Sequence, residues 1–408
     1  MANLTTEATV LFDFSHWLNA SEVTSHVSFY DEISSTLSTT ISNGTLPGTE
    51  DTVWTWEDIV ILTFKVIIMG TIIIFAIMGN VLVIVSITMS RKLHGITNYF
   101  LVSLAIADML VALCVMPFNA SVEFFGKWLF GFRMCDLWNS FDVYFSTVSI
   151  LHLCCISIDR YYAILSPLEY PLKMTKRKVL IMLAHVWLGP TLISFPPIFL
   201  GWYATSDHLE IRSSKPEECT FEVNKVFAIL SSAISFWIPC TVMLILYYRI
   251  FQEARKQETA IMSRTNSMSA IHNIHRGPAR CASLVSGFAP SSTRTSASHQ
   301  LMIPNNMSGA VPVMRREHKA ARTLGIIMGA FILCWLPFFS WYVTFTICGE
   351  ACDCPQPVIT TLFWIGYFNS TLNPFIYAYF RKDFREAFMK TLRKLNCCRS
   401  RDPNRSFV

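Results

Sequence analysis

The stretch Leu137-Trp-Asn-Ser-Phe-Asp142-Val-Tyr-Phe-Ser146-Thr-Val-Ser149-Ile150-Leu-His-Leu-Cys-Cys-Ile-Ser-Ile158 is long enough to cross a bilayer as a helix, yet it carries one carboxylate. An ionisable group in hydrocarbon costs at least a few kcal/mol unless it faces a partner or a water-filled cavity, so Asp142 marks a ligand, ion or proton site.

The composition around this stretch fixes the class. The chain of 408 residues is 52% hydrophobic and 15% charged, too apolar for an ordinary soluble protein. Similar runs, nearly free of charge, cover Ile59–Thr88, Tyr99–Phe118, Leu137–Ile158, Val179–Leu200, Val226–Tyr248, Ala320–Ile347 and Val358–Phe380. The fold class is therefore an all-α membrane protein, a seven-transmembrane helix bundle whose termini lie on opposite sides. Basic residues collect at Arg91-Lys92, Lys173 to Lys178, Arg249 to Lys256, Arg315-Arg316-Lys319 and Arg381 to Arg385, whereas nothing before Lys65 is basic. By the positive-inside rule the N-terminus is expected outside, in a multi-pass protein of the plasma membrane. The net charge of +5 then reflects topology, and no nucleic-acid partner is implied.

Met1-Ala-Asn-Leu-Thr-Thr-Glu7 has neither a basic nor an apolar leader region, so no cleavable signal peptide is expected. Residues 1–57 are expected to form a disordered extracellular tail, glycosylated at Asn3, Asn19 and Asn43. The same tripeptide pattern at Asn119 and Asn369 falls in or beside spans and is read as coincidence. Residues 58–251 hold helices 1–5 and residues 319–380 helices 6 and 7. Between them, 252–318 is rich in Ser, Thr and Arg and reads as a largely disordered third cytoplasmic loop with kinase acceptor sites. Residues 381–408 carry a short amphipathic cytoplasmic helix and a tail, with Cys397 and Cys398 as palmitoylation candidates.

Of thirteen cysteines, Cys135 and Cys219 fall in extracellular segments, where disulfides persist; a bridge between them would pin the second outer loop over the third span. Cys348, Cys352 and Cys354 crowd the last outer loop, with room for one local bridge.

Polar groups sort to two ends. Asp142 and Arg160 are separated by roughly 27 Å of helix at 1.5 Å per residue. Glu317 and Trp335 on the sixth span have the same spacing, which brings Glu317 level with Arg160 for an ion pair at the membrane edge. Around Asp142, Trp335, Phe338, Phe339, Tyr342, Trp364 and Tyr367 could wall a cation with ring faces, although aromatics at helical spacing also pack plain cores. Ser231, Ser232 and Ser235 offer hydroxyls on the fifth span, Ser231 and Ser235 on one face, suited to a phenol or catechol. Deeper, Asp108, Ser149, Asn369, Ser370 and Asn373 form a carboxylate ringed by neutral oxygens, suited to a small hard cation. No hydrolytic triad, Walker loop or metal-ligand cluster suggests an enzyme. The seventh span lacks the lysine of a retinal photoreceptor, and no internal repeat suggests a transporter.

Asn80 in Gly-Asn-Val-Leu-Val, Asp108 in Leu104-Ala-Ile-Ala-Asp108, Asp159-Arg160-Tyr161, Trp187, Pro239, Cys334-Trp335-Leu-Pro337 and Asn373-Pro374-Phe-Ile-Tyr377 occur in order, one motif per span. Over roughly 58–398 this set resembles the rhodopsin-like G-protein-coupled receptors. Cys135-Asp-Leu-Trp-Asn-Ser140, Asp142-Val-Tyr-Phe-Ser-Thr147, Ser149-Ile-Leu-His-Leu-Cys-Cys-Ile-Ser157, the run Arg316 to Gly329 and Phe363-Trp-Ile-Gly-Tyr-Phe-Asn369 look most like the aminergic branch, and within it the invertebrate beta-adrenergic-like octopamine receptors. That resemblance implies a small-molecule amine agonist, octopamine first, with tyramine, dopamine, serotonin or noradrenaline as alternatives. It implies heterotrimeric Gs, cyclic AMP, receptor kinase and arrestin as partners, and no cofactor beyond an allosteric sodium ion at the Asp108 cluster. It implies that Asp142 meets the ammonium, with Val143, Ser146 and Phe363 beside it. It also implies a packing switch at Ile150, Pro239 and Phe331, and Tyr247 and Tyr377 closing around Arg160 on activation. Phe363 and Tyr342 stand where vertebrate beta-adrenergic receptors carry Asn, which counts against adrenaline.

Overall fold

The computed structural model describes residues 55–93, 95–206, 208–209, 215, 218–275, 306–352 and 354–399; side chains at 261, 264–275, 306–320, 350 and 395–399 lie outside the description. Among the described residues, eight long helices carry the architecture. α1 is Trp56–Met89; α2 runs as Ile96–Cys114 and Met116–Phe125; α3 is Gly131–Leu165; α4 runs as Lys176–Leu188 and Thr191–Phe199. α5 runs as Lys225–Ser232, a π-helical turn Ala233–Trp237, and Ile238–His275; α6 is Asn306–Cys348, α7 is Gln356–Phe380 and α8 is Lys382–Arg399.

By its contacts the chain divides at Ile67, the residues up to it forming one unit and Ile68 onward the other. In the first, Thr55 and Asp58 cap α1 reciprocally: the Thr55 hydroxyl donates to Asp58 Oδ2 at 2.7 Å and the Asp58 amide to Thr55 Oγ1 at 3.3 Å.

Proline and glycine explain the interruptions in the second. Pro117 opens the second piece of α2, and Gly189-Pro190 splits α4, because a proline ring cannot accept the preceding helical turn. Pro239 lacks the N–H that would reach the Ser235 carbonyl, and the wide turn Ala233–Trp237 lies directly before it. Two close approaches need a residue without Cβ: a Cβ at Gly79 would lie 2.8 Å from Pro374, and one at Gly366 would lie 2.9 Å from the Trp335 ring. Small residues at such crossings let membrane helices pack backbone to side chain.

Among the described residues, six helices, α1 to α6, are long and apolar enough to cross a membrane. α7 is as long as a span at 25 residues but carries Asn369, Ser370 and Asn373, and these are only 3%, 4% and 2% exposed. Its polar groups face protein instead of lipid, so the seventh expected span stands although its hydropathy is lower. α3 is the central element, with buried residues from Cys135 to Ile164 packed against α2, α4, α5 and α6.

The helices outrun the expected span ends. The stretch read as an unordered loop, 252–318, is helical at both described ends, through His275 and from Asn306. Glu253, Ala254, Arg255, Lys256, Gln257 and Glu258 are strong helix formers, and Gln257 Nε2 donates at 3.0 Å to the Ile164 carbonyl in the last turn of α3. Residues 276–305 lie outside the described residues.

Candidate functional site

At the end of the bundle that holds Cys135, a cavity of about 370 Å³ opens between α2, α3, α5, α6, α7 and the segment 219–222. Asp142, Val143 and Ser146 form its α3 wall. Asp142 Oδ2 accepts from the Tyr367 hydroxyl at 3.0 Å, a bond that fixes the carboxylate's rotamer and leaves its other oxygen for a second donor. Ser146 Oγ turns back to the Asp142 carbonyl at 2.8 Å.

Rings enclose the carboxylate. Trp335 and Tyr367 meet edge to face at 6.3 Å, Phe338 and Phe363 lie 4.7 Å apart, and Phe339 stacks on Phe236 at 4.5 Å. Ring faces beside an anion favour an ammonium twice over, by charge and by quadrupole. Tyr367 itself is 1% exposed and sits behind Asp142, off the cavity wall. Trp364, expected as a wall, instead donates from Nε1 to Asn119 Oδ1 at 2.7 Å on α2.

Across the cavity, the three α5 serines separate. Ser231 and Ser235 line it, whereas Ser232 donates to the Ile229 carbonyl at 3.1 Å and does not. Ser235 accepts from Thr147 at 2.7 Å, so part of its capacity is used within the bundle. Ser231 lies 3.4 Å from the Tyr342 hydroxyl, also on the cavity wall, and 3.4 Å from the Ala228 carbonyl, to which it donates.

Cys135 is bonded to Cys219, and Cys348 to Cys352, leaving Cys354 as the odd thiol on the cavity rim. The first bridge carries Thr220, Phe221 and Glu222 over the opening, and Phe221 stacks on the fully buried Tyr203 at 5.3 Å. Asn119, Glu123, Phe221, Glu222 and Thr360 are lining residues that sequence reasoning missed. Glu123 accepts from Thr360 at 2.6 Å. Asn119 and Glu123 lie four residues apart on one face of α2, a polar pair in an apolar helix that could have marked them.

Below the cavity, Asp108 is fully buried. It accepts from Asn373 at 2.7 Å, Ser370 at 3.1 Å and Ser149 at 3.4 Å, and Oδ1 of both Asn369 and Asn373 is buried with no hydrogen-bond partner among the described residues. Ile150 and Phe331 are buried in the core, and the Pro239 carbonyl accepts from Cys154 at 3.6 Å.

At the opposite end, Asp159 Oδ2 accepts from Arg160 at 2.6 Å and from Thr97 at 2.8 Å, and its Oδ1 accepts from Tyr170 at 2.7 Å. Arg160 also donates to Thr97. Thr97 and Tyr170 were not legible as partners of the pair. Burial, then the Asp159 carboxylate, pushes the Tyr170 phenol up to about 12, so it stays a donor throughout the physiological range. Tyr161 packs beside Ile164, Ile250 and Ala321, Tyr247 lies against Gly325 of α6, and Tyr377 stacks on Phe384 of α8 at 5.1 Å. The side chains of Glu317, Cys397 and Cys398, and all of Asn3, Asn19 and Asn43, lie outside the described residues.

A membrane-spanning bundle with a small-molecule cavity at one end and a buried charge cluster at the other has the parts of a transmembrane receptor. The chain belongs to the 7 transmembrane receptor (rhodopsin family), whose model matches residues 79–377. It is 54% identical over 84% of its length to "Octopamine receptor beta-2R" of Drosophila melanogaster, of which it spans 63%. It is 52% identical over 86% of its length to "Octopamine receptor beta-2R" of Chilo suppressalis, of which it spans 85%. It is also 40% identical over 84% of its length to "5-hydroxytryptamine receptor 4" of Homo sapiens. These relatives are receptors and not enzymes.

Proposed function

We propose that this chain is a plasma-membrane receptor for a biogenic amine, octopamine, with its N-terminus outside, and that it activates Gs to raise cyclic AMP. The observation that carries the reading is the Asp142 carboxylate held by Tyr367 in a ring-lined cavity whose wall also includes Ser231 and Tyr342. Octopamine has an ammonium for the first and one ring hydroxyl for the second. The likeness to the octopamine receptors of Drosophila and Chilo supports the same ligand.

The agonist acts by binding two states unequally. Bridging Asp142 on α3 to Ser231 on α5 favours a contracted cavity. Repacking at Ile150, Pro239 and Phe331 then swings α6 outward and frees Arg160 for the G protein, with Tyr247 and Tyr377 closing in. Receptor kinase and arrestin act afterwards on the 252–318 loop and the tail. The Asp108 cluster fits a sodium ion, because its carboxylate, the Ser149 and Ser370 oxygens and the unpartnered Oδ1 atoms of Asn369 and Asn373 form an all-oxygen set suited to a hard cation. Such an ion would supply positive charge against Asp108 in the resting state.

Replacing Ser231 with Ala is expected to raise the octopamine concentration for half-maximal cyclic AMP by an amount equivalent to about 1–3 kcal/mol. It should spare amines without a ring hydroxyl. Ser232→Ala, off the cavity, is expected to leave potency unchanged; equal losses at both positions would refute this assignment of the hydroxyl contact.

Glu317→Ala tests the proposed restraint on α6. If Glu317 holds α6 to Arg160, cyclic AMP without ligand rises at equal surface expression; an unchanged basal level removes Glu317 from the lock.

A further inference from the structure

Asn224 caps α5: its Oδ1 accepts from the Phe227 amide at 2.8 Å, the bond an Asn makes when it stands just before a helix. That cap uses one side-chain atom. The other, Nδ2, donates to the Trp202 carbonyl at 2.8 Å and to the Ala204 carbonyl at 3.4 Å, while the Asn224 amide donates to the Tyr203 carbonyl at 2.7 Å. One residue therefore grips three consecutive carbonyls of the turn that follows α4.

That turn carries Tyr203, which is fully buried, packs with Ile198 and Phe227, and stacks on Phe221 at 5.3 Å. Phe221 lies in the segment over the cavity opening, and Val143, beside Asp142, packs against the same cluster. Residues 220–222 are thus held between two anchors. One is the Cys219 sulfur, bonded to Cys135 on α3; the other is the Asn224 grip at the head of α5. The first anchor is covalent, whereas the second consists of hydrogen bonds, each of which breaks at a modest net cost, so local opening starts at the Asn224 end.

We infer that Asn224 is a positioning residue that sets how fast the amine enters and leaves: its grip on residues 202–204 keeps Phe221 and Glu222 over the opening. A cover lies across the path in both directions. Loosening it therefore raises association and dissociation rates together and leaves the dissociation constant near its wild-type value.

The inference rests on the proposed amine site, and its test has one arm that needs no ligand. Asn224→Ser keeps a capping oxygen for the Phe227 amide and removes the side-chain amide that holds Trp202 and Ala204; Asn224→Asp does the same with the shape of Asn. In the full chain without ligand, amide hydrogen exchange would be followed at residues 220–223. Tritiated octopamine would then be used to measure both rates. Each variant is expected to exchange faster there, and to bind and release octopamine on the order of five times faster, the weight of one ordinary hydrogen bond. The number of binding sites should stay at the wild-type level, which a merely misfolded variant would not show. Unchanged exchange in both variants would overturn the inference. So would faster exchange with unchanged rates, because the segment would then not stand in the ligand's path. Failure of octopamine to bind the wild type would count against the amine reading alone, and the exchange arm would still decide the grip.

Discussion

Asp142→Asn is expected to abolish the response to every amine agonist at normal surface expression. Asn still accepts the Tyr367 hydroxyl bond, seen at 3.0 Å, and keeps the side chain's shape, so the change removes charge and little else. The ammonium would then be desolvated among Trp335, Phe338 and Phe363 with no counter-ion. Breaking such a pair costs about 3–5 kcal/mol, roughly a hundred- to several-thousand-fold in affinity. Potency within about tenfold of wild type would remove the amine from the account and make a peptide or lipid the better ligand.

The second large effect concerns the bridge over the cavity. Cys135 and Cys219 are 84 residues apart in sequence, and their bond positions Phe221 and Glu222 at the opening. Loss of a native disulfide typically costs about 2–5 kcal/mol. Cys135→Ser and Cys219→Ser should each cripple surface delivery or ligand binding, and the double variant should be no worse than either single one, since two halves of one bond act as a unit. Losses that add would mean the sulfurs act separately. Surface staining and radioligand binding on the three variants decide it.

Much of this was legible because its cause is local. An apolar run of spanning length declares a helix, and Asp142 stands out because hydrocarbon penalises any carboxylate that has no role. Even α7, the least apolar span, was legible as an uncharged run of spanning length, Val358–Phe380. Other parts depend on contacts with no local signature. Thr97 reaches Asp159 across 62 residues, and Thr360 reaches Glu123 across 237, with nothing in either neighbourhood to pair them. Trp364 was grouped with the cavity rings by spacing alone, and its indole N–H, needing a partner when buried, turned to Asn119. The length of α5 was underestimated because lipid-span reasoning stops at the first charges, whereas Glu253 to Glu258 favour helix in water as well.

The central claim is that this cavity reads an amine carrying one ring hydroxyl and reports it through Gs. The most direct test is cyclic AMP in transfected cells exposed in parallel to octopamine, tyramine, dopamine, serotonin and noradrenaline. The account predicts a rise in cyclic AMP, with octopamine effective at the lowest concentration. Silence to all five, or a response to another amine at concentrations at which octopamine does nothing, would contradict it.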